Sequence, residues 1–353
     1  MELLIMGDLV PTESNFELFN NADIDTLIGK ELKDILKNAD IRIFNLETPI
    51  SNVNSPIEKF GDTIIAPEKT INGIKALNPS LVTLANNHIM DHGEVGLKNT
   101  KKTLDTNNIP YVGVGNNVNE ASKPYIFELN NIKIGIYACT EKEFTIATKY
   151  KSGANPFDPL ESLEHINNLK KKCDYVIVLY HGGKEHYRYP SPYLKKVCNK
   201  MCFSGADLVV CQHSHCIGSY EKYNKSTIIY GQGNFLFDGS NNEYWDTSLI
   251  IKINIDDNKL LLDYIPIIKK NNKIRLASYE EKINILNDFK YRSEEILNEN
   301  VIEEKYNEFA KNMINEYLVT FSGVGKWQRR LDKYIFKGYL LNKRYNKDKL
   351  LRI

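Results

Sequence analysis

Short apolar runs alternate along the chain with stretches whose apolar positions recur every three or four residues. The runs are Leu3–Met6, Ile41–Phe44, Leu81–Leu84, Tyr175–Tyr180, Leu208–Cys211 and Thr227–Tyr230. Each is long enough for a strand and too short for an ordinary helix. Between them lie the helical patterns Glu31–Asn38, Thr70–Leu77, Val95–Asn107, Glu161–Lys172 and Pro192–Phe203. This alternation predicts an α/β layered domain with parallel strands at its centre. Asn130-Asn131, between Tyr125–Leu129 and Ile132–Ala138, reads as a two-residue hairpin because Asn tolerates positive φ. Ser248–Asn254 and Leu260–Ile268, joined by Asp256-Asp257-Asn258, predict a second antiparallel pair, so the sheets are expected to be mixed. The pattern changes at the polar stretch Lys269–Lys273. Residues 1–270 therefore read as the core domain and 271–353 as a helical, basic C-terminal extension. Within the extension, one or two helices are expected over 280–321 and another over 326–346.

Composition narrows the class. The chain has 353 residues, 42% hydrophobic and 26% charged, which excludes a disordered or collagen-like protein. No apolar run reaches the roughly 18–20 residues of a membrane span. The first apolar stretch carries Glu2 and stops at Gly7-Asp8, unlike a secretory signal. The net charge of +1 hides a split, since residues 323–353 hold ten Lys/Arg and two Asp/Glu, leaving 36 against 43 elsewhere. An acidic body argues against nucleic acid as a partner. In the tail, Trp327, Leu331, Tyr334, Gly338, Leu341 and Tyr345 form an apolar stripe among basic residues. Such a helix suits either docking on the acidic body or peripheral contact with an anionic bilayer. The six cysteines, at 139, 173, 198, 202, 211 and 216, include no C-x-x-C pair. They read as reduced thiols in a cytoplasmic protein.

The chemistry is concentrated where strands end. Five apolar runs lead into Asp8, Glu47, Asn86-Asn87-His88, His181 and His213-Ser214-His215, and these positions take four of the seven histidines. In open α/β sheets, sites gather beyond the carboxyl ends of the strands. Carboxylates, an amide oxygen and imidazoles together suit manganese, iron or zinc, and a shared carboxylate can bridge two cations. His213 and His215 flank a single residue, so on a turn they can straddle a metal pair. Gly182-Gly183-Lys184 reads either as a phosphate cradle or as a tight turn. Residues 186–189 read either as a polyanion or glycan cleft or as solvated loop. Gly113-Val114-Gly115 lacks a third glycine and reads as a turn. No G-x-S-x-G elbow occurs, which leaves a serine hydrolase without support.

Taken in order, Gly7-Asp8, Asn45-Leu46-Glu47, Ala85-Asn86-Asn87-His88 with Asp91 and Gly93, His181-Gly182-Gly183 with Glu185, Gly205-Ala206-Asp207 through Gln212-His213-Ser214-His215, and Tyr230 to Phe235 resemble the CapA family. That family belongs to bacterial capsule and poly-γ-glutamate synthesis, and its domain is similar to calcineurin-like metallophosphoesterases. The resemblance spans roughly residues 1–270. It implies a metallophosphoesterase-like αββα sandwich with mixed sheets, followed by the helical extension. It also implies one or two divalent ions (Mn, Fe or Zn) held by Asp8, Glu47, Asn87, His181, His213 and His215, with Glu47 bridging. His88, partnered by Asp91, corresponds to the histidine that protonates the leaving group after attack on phosphorus by a metal-bound hydroxide. Asn86, Glu185 and Asn234 are expected to contact substrate, a phosphorylated small molecule, glycan or polymer end. Three positions depart from the broader phosphoesterase pattern: Val10 replaces a histidine, Glu47 an aspartate, and Ile89 an acidic residue. The alternative implied by the same family is a non-catalytic polymer-binding or assembly subunit that keeps the fold.

Overall fold

The computed structural model describes residues 1–321 except Phe60, Asn241, Asp257 and Asn258. The basic segment 323–353 and the helix expected over 326–346 lie outside the described residues, as does most of the Asp256-Asp257-Asn258 turn. The chain begins with β1 (Glu2–Val10), α1 (Phe16–Asn20), α2 (Ile24–Ile28), α3 (Lys30–Asn38) and β2 (Ile41–Leu46). After a long loop come α4 (Ile71–Ala76), β3 (Leu81–Thr83), α5 (Gly93–Thr106), β4 (Tyr111–Val112), β5 (Val114–Gly115) and α6 (Val118–Ala121). Next are β6 (Tyr125–Leu129), β7 (Ile132–Thr140), β8 (Gly153–Ala154), α7 (Glu161–Lys170) and β9 (Tyr175–His181). They lead to α8 (Pro192–Phe203), β10 (Leu208–Gln212), β11 (Tyr220–Tyr223), β12 (Ser226–Tyr230) and β13 (Asn234–Phe237). The remaining elements are β14 (Thr247–Asp256), β15 (Lys259–Lys270), β16 (Lys273–Leu276), α9 (Tyr279–Glu295) and α10 (Glu299–Phe321).

Two mixed sheets form. The first runs β16-β15-β14-β1-β2-β3-β4, with β13 also paired to β1, and the second runs β11-β12-β10-β9-β7-β6. Pairing is parallel through β1-β2-β3-β4 and through β7-β9-β10-β12, with antiparallel strands added outside. The Asn130-Asn131 hairpin is present, with both φ angles positive and Leu129 opposite Ile132.

The period-2 alternation of the strands sorts their side chains into layers. Leu3 and Ile5 of β1, with Ile41, Ile43 and Leu81, join Ile134, Ile136, Ile177, Leu179, Leu208 and Val210 in a core between the sheets. Leu4 and Met6, with Phe44 and Val82, face the other way onto Phe19, Leu27, Leu32, Ile74 and Leu97 of the helices. Helices α7 and α8 cover the far side of the second sheet. The result is an αββα sandwich with mixed sheets: the pattern predicted the α/β layers and the mixed sheets, and the resemblance implied the sandwich.

The boundary expected at 270 falls inside a hairpin, because Lys270 pairs with Lys273 and the polar residues are its turn. Helix α9 follows, started by a capping box in which Ser278 and Glu281 satisfy each other's backbone N–H. Its Phe289 lies in the inter-sheet core and meets Tyr220 of β11 and Tyr264 of β15. The compact units are therefore Met1–Leu297 and Asn298–Ile353, and the segment 280–321 forms two helices, one in each unit. All six cysteines are buried and free, although Cys198 and Cys211 approach to 3.6 Å between sulfurs.

Candidate metal centre

The two sheets bring their chemistry to one place. Asp8 sits in β1 opposite Asn234 of β13. This pairing depends on Gly7, where an added Cβ would stand 1.9 Å from the Gly233 carbonyl oxygen. Glu47 follows β2, and Asn87 and His88 lie in the turn after β3. His181 ends β9, and the loop after β10 presents His213 and His215. Both of these histidines have positive φ, 82° and 53°. Such a backbone is costly for a residue with a Cβ, and it persists where the surroundings enforce it.

Ligand atoms of Glu47, His181 and His213 lie within 4.8 Å of one another, as do those of Asp8, Glu47 and His215. Glu47 thus belongs to two adjoining groups, contributed from both sheets. Asn87 Oδ1 is 2.9 Å from His181 Nε2 and joins the first group. Glu185, His213 and His215 form a third group, with Glu185 exposed to solvent. Among the described residues, Asp8 Oδ2, both oxygens of Glu47 and His213 Nδ1 are buried without a hydrogen-bond partner. Glu47 Oε1 is 3.2 Å from His181 Nε2 but not aligned for a hydrogen bond. Burying a carboxylate with its lone pairs unused is expensive unless a cation takes them. The donor set and its orphaned atoms fit a divalent ion.

Charge is distributed unevenly in the metal-free chain. Burial, reinforced by the negative charge of Asp8, holds the Glu47 carboxyl well above its usual range. Burial also pushes Asp8 up, but His215, with Nδ1 3.5 Å from Oδ2, together with His181 and Asn45, outweighs it and brings Asp8 to about 2. Burial lowers His181 to about 4, and burial with the neighbouring His181 lowers His213 to about 3. For His215, burial is overcome by Asp8, Glu47 and Asn234, and its value rises to about 9. His181 and His213 are therefore neutral near pH 7 and keep a lone pair for a ligand bond.

His88 and Asp91 form a dyad beside the cluster, with Nδ1 2.6 Å from Oδ2. The sequence reading missed three contributors. Asn45 Nδ2 donates to Asp8 Oδ1 at 2.7 Å and lies 3.1 Å from His181 Nδ1, tying the two groups together. Lys59, from the loop after β2, reaches Asp91 Oδ1 at 2.5 Å. Trp245 lies tilted against His215 with ring centroids 4.6 Å apart and donates to His186 Nε2 at 2.8 Å. Val10 packs with Trp245 and Phe237, so an apolar wall occupies the position where the broader pattern has a histidine.

Two of the residues expected to contact substrate are buried and hydrogen-bonded inside the protein. Asn86 is fully buried, donates to Leu46 O and Asn45 Oδ1, and accepts from the His88 and Ile89 N–H groups. It shapes the turn that carries Asn87 and His88. Asn234 is buried with Oδ1 2.8 Å from His215 Nδ1, which makes it a support for that ring. Glu185 alone of the three faces solvent at the mouth of the cluster.

The αββα sandwich is a metallophosphoesterase-like fold, with a buried carboxylate–imidazole cluster where its two sheets meet. The chain belongs to the family described as bacterial capsule synthesis protein PGA_cap, which matches residues 2–239. It is 28% identical over 276 residues to the capsule biosynthesis protein CapA of Bacillus anthracis, covering 76% of this chain and 67% of that protein. To the PGA biosynthesis protein CapA of Bacillus subtilis strain 168 it is 29% identical over 228 residues, covering 63% of this chain and 60% of that protein. A hypothetical protein from Thermus thermophilus superposes with a TM-score of 0.50 at 14% identity, covering 76% of this chain and all of that one. A phosphatase from Mycoplasma pneumoniae gives 0.47 at 15% identity, covering 77% of this chain and 94% of that one. Among the described residues no helix is long and apolar enough to cross a membrane.

Proposed function

We propose that the chain is a metal-dependent phosphoester hydrolase of capsule, exopolysaccharide or poly-γ-glutamate production. Its substrate on this reading is a phosphorylated carrier, sugar or polymer end. Asp8, Glu47, Asn87, His181, His213 and His215 would hold one or two ions of manganese, iron or zinc. The observation that carries the reading is Glu47, buried with both oxygens unpartnered and shared by two groups of ligand atoms. When bound, such ions neutralise charge on the phosphoryl oxygens and activate water. The chain's own part is orientation and proton supply. Asn45 fixes the relative positions of Asp8 and His181. Asp91 accepts from His88 Nδ1, which leaves Nε2 to give its proton to the departing alkoxide.

The test is cleavage of an aryl phosphate mono- or diester with added Mn²⁺, Zn²⁺ or Fe²⁺. Wild-type turnover should depend on the cation and fall to background in Asp8→Ala and His213→Ala. Equal cleavage by both variants would identify a contaminant. A folded wild-type chain inactive with all three ions would favour a non-catalytic polymer-binding or assembly subunit.

A further inference from the structure

The loop between β2 and α4 is mostly exposed over residues 52–59, yet it delivers one buried cation. The Lys59 side chain is 3% exposed, against 0% for Asp91 and 15% for His88. Its ammonium lies 2.5 Å from Asp91 Oδ1, 3.4 Å from the Asn87 carbonyl oxygen and 3.3 Å from His88 Nδ1. The loop grips the same residue on both sides of Lys59. Ile57 N–H donates to the Asp91 carbonyl and Ile64 N–H to Asp91 Oδ2, each at 2.8 Å. Oδ2 also faces His88 Nδ1 at 2.6 Å, whereas Oδ1 has Lys59 as its hydrogen-bond partner. Lys59 on Oδ1 and the Ile64 N–H on Oδ2 therefore fix together how the carboxylate plane is turned. Without the ammonium, Oδ1 becomes a buried anionic oxygen with no other hydrogen-bond donor to it among the described residues, and the carboxylate must rotate or draw in water. Rotation turns Oδ2 away from the ring it orients.

We propose that Lys59 is a positioning residue: by clamping Asp91 Oδ1 it holds Oδ2 against His88 Nδ1 and so aims His88 Nε2 at the leaving group. The assignment rests on the hydrolase reading above and adds a residue on which the leaving-group proton depends. In the step concerned, the bond between phosphorus and the leaving oxygen breaks and its electron pair stays on that oxygen. The oxygen takes the proton from His88 Nε2. The oxygen of water forms the new bond to phosphorus and loses a proton to solvent, from which His88 is recharged. A misaimed donor harms esters whose leaving group needs a proton and spares those whose leaving group does not. Simple loss of loop packing would harm both alike.

The experiment compares wild type, Lys59→Met, Lys59→Arg and His88→Ala on a 2,4-dinitrophenyl phosphate and on an alkyl phosphate of the same charge. General acid assistance is typically worth about 10²–10⁴-fold. Lys59→Met should therefore lose on the order of 10²-fold in kcat on the alkyl ester, in line with the scale of such catalysis, with a far smaller loss on the dinitrophenyl ester. His88→Ala should show the same bias, and Lys59→Arg should recover most of it. Equal losses on both esters in Lys59→Met, while His88→Ala shows the bias, would overturn the role of Lys59 and leave the hydrolase reading standing. A second measurement needs no turnover. The short His88 Nδ1–H to Asp91 contact should give a slowly exchanging downfield imidazole proton resonance in the full chain. It should be absent in Lys59→Met and present in Lys59→Arg. Its persistence in Lys59→Met would overturn the proposal even if the wild-type chain hydrolysed nothing.

Discussion

At the scale of single residues, the cluster joins groups that oppose one another until a cation arrives. Near pH 7 the metal-free chain keeps Asp8 ionised, His181 and His213 neutral, His215 protonated at about 9, and Glu47 with a carboxyl held well above 4.5. The raised value of His215 stabilises the metal-free fold fully below its ordinary 6.5 and ceases to do so as pH rises through about 9. A cation bound by Asp8, Glu47 and His215 must displace the protons that pair with them, since ligands bind deprotonated. Cation affinity should therefore rise between pH 6.5 and about 9, with release of about one proton or more per ion. Calorimetry of Mn²⁺ or Zn²⁺ binding in two buffers of different ionisation enthalpy measures that number directly. Binding without proton release near neutral pH would mean that His215 and Glu47 are not the groups displaced.

At the scale of elements, what could be read from the sequence was what local pattern determines. The strand runs, helix α8 from Pro192 to Phe203 and the Asn130-Asn131 hairpin follow from periodicity and turn chemistry. The residues of the cluster stood out because each ends or follows an apolar run. Lys59 gave no such signal. It is one lysine in an irregular loop, and its partner lies 32 positions away in a different turn. Asn45 stood in the motif Asn45-Leu46-Glu47 without a role of its own, because that role depends on Asp8 and His181, which are remote in sequence. The break expected at 270 failed for a related reason, since a polar stretch marks a hairpin turn as well as it marks a linker. One close approach tests how the elements hold the site. Gly7→Ala places a Cβ against the Gly233 carbonyl and should force β1 and the segment before β13 apart. The expected destabilisation is about 1–3 kcal/mol, seen as a lowered melting temperature and weaker cation uptake as Asn234 leaves His215. A variant that melts and binds like wild type would contradict that packing.

At the scale of the whole molecule, the cluster exists because two sheets are stacked. Asp8, Glu47 and Asn87 come from the first sheet and the turns beyond it. His181, His213 and His215 come from the second. The apolar core from Leu3 and Ile5 to Ile177 and Val210 sets the spacing between them, and helix α9 closes one end through Phe289. Fold stability and site geometry are thus one property of residues 1–297. The central claim is that this junction holds inorganic charge. Elemental analysis of the full chain, purified without chelator or nickel affinity, tests it most directly. One or two equivalents of manganese, iron or zinc per chain are predicted, lost in a folded Glu47→Ala variant. A folded wild-type chain that carries no such metal and takes up none when it is added would contradict the account.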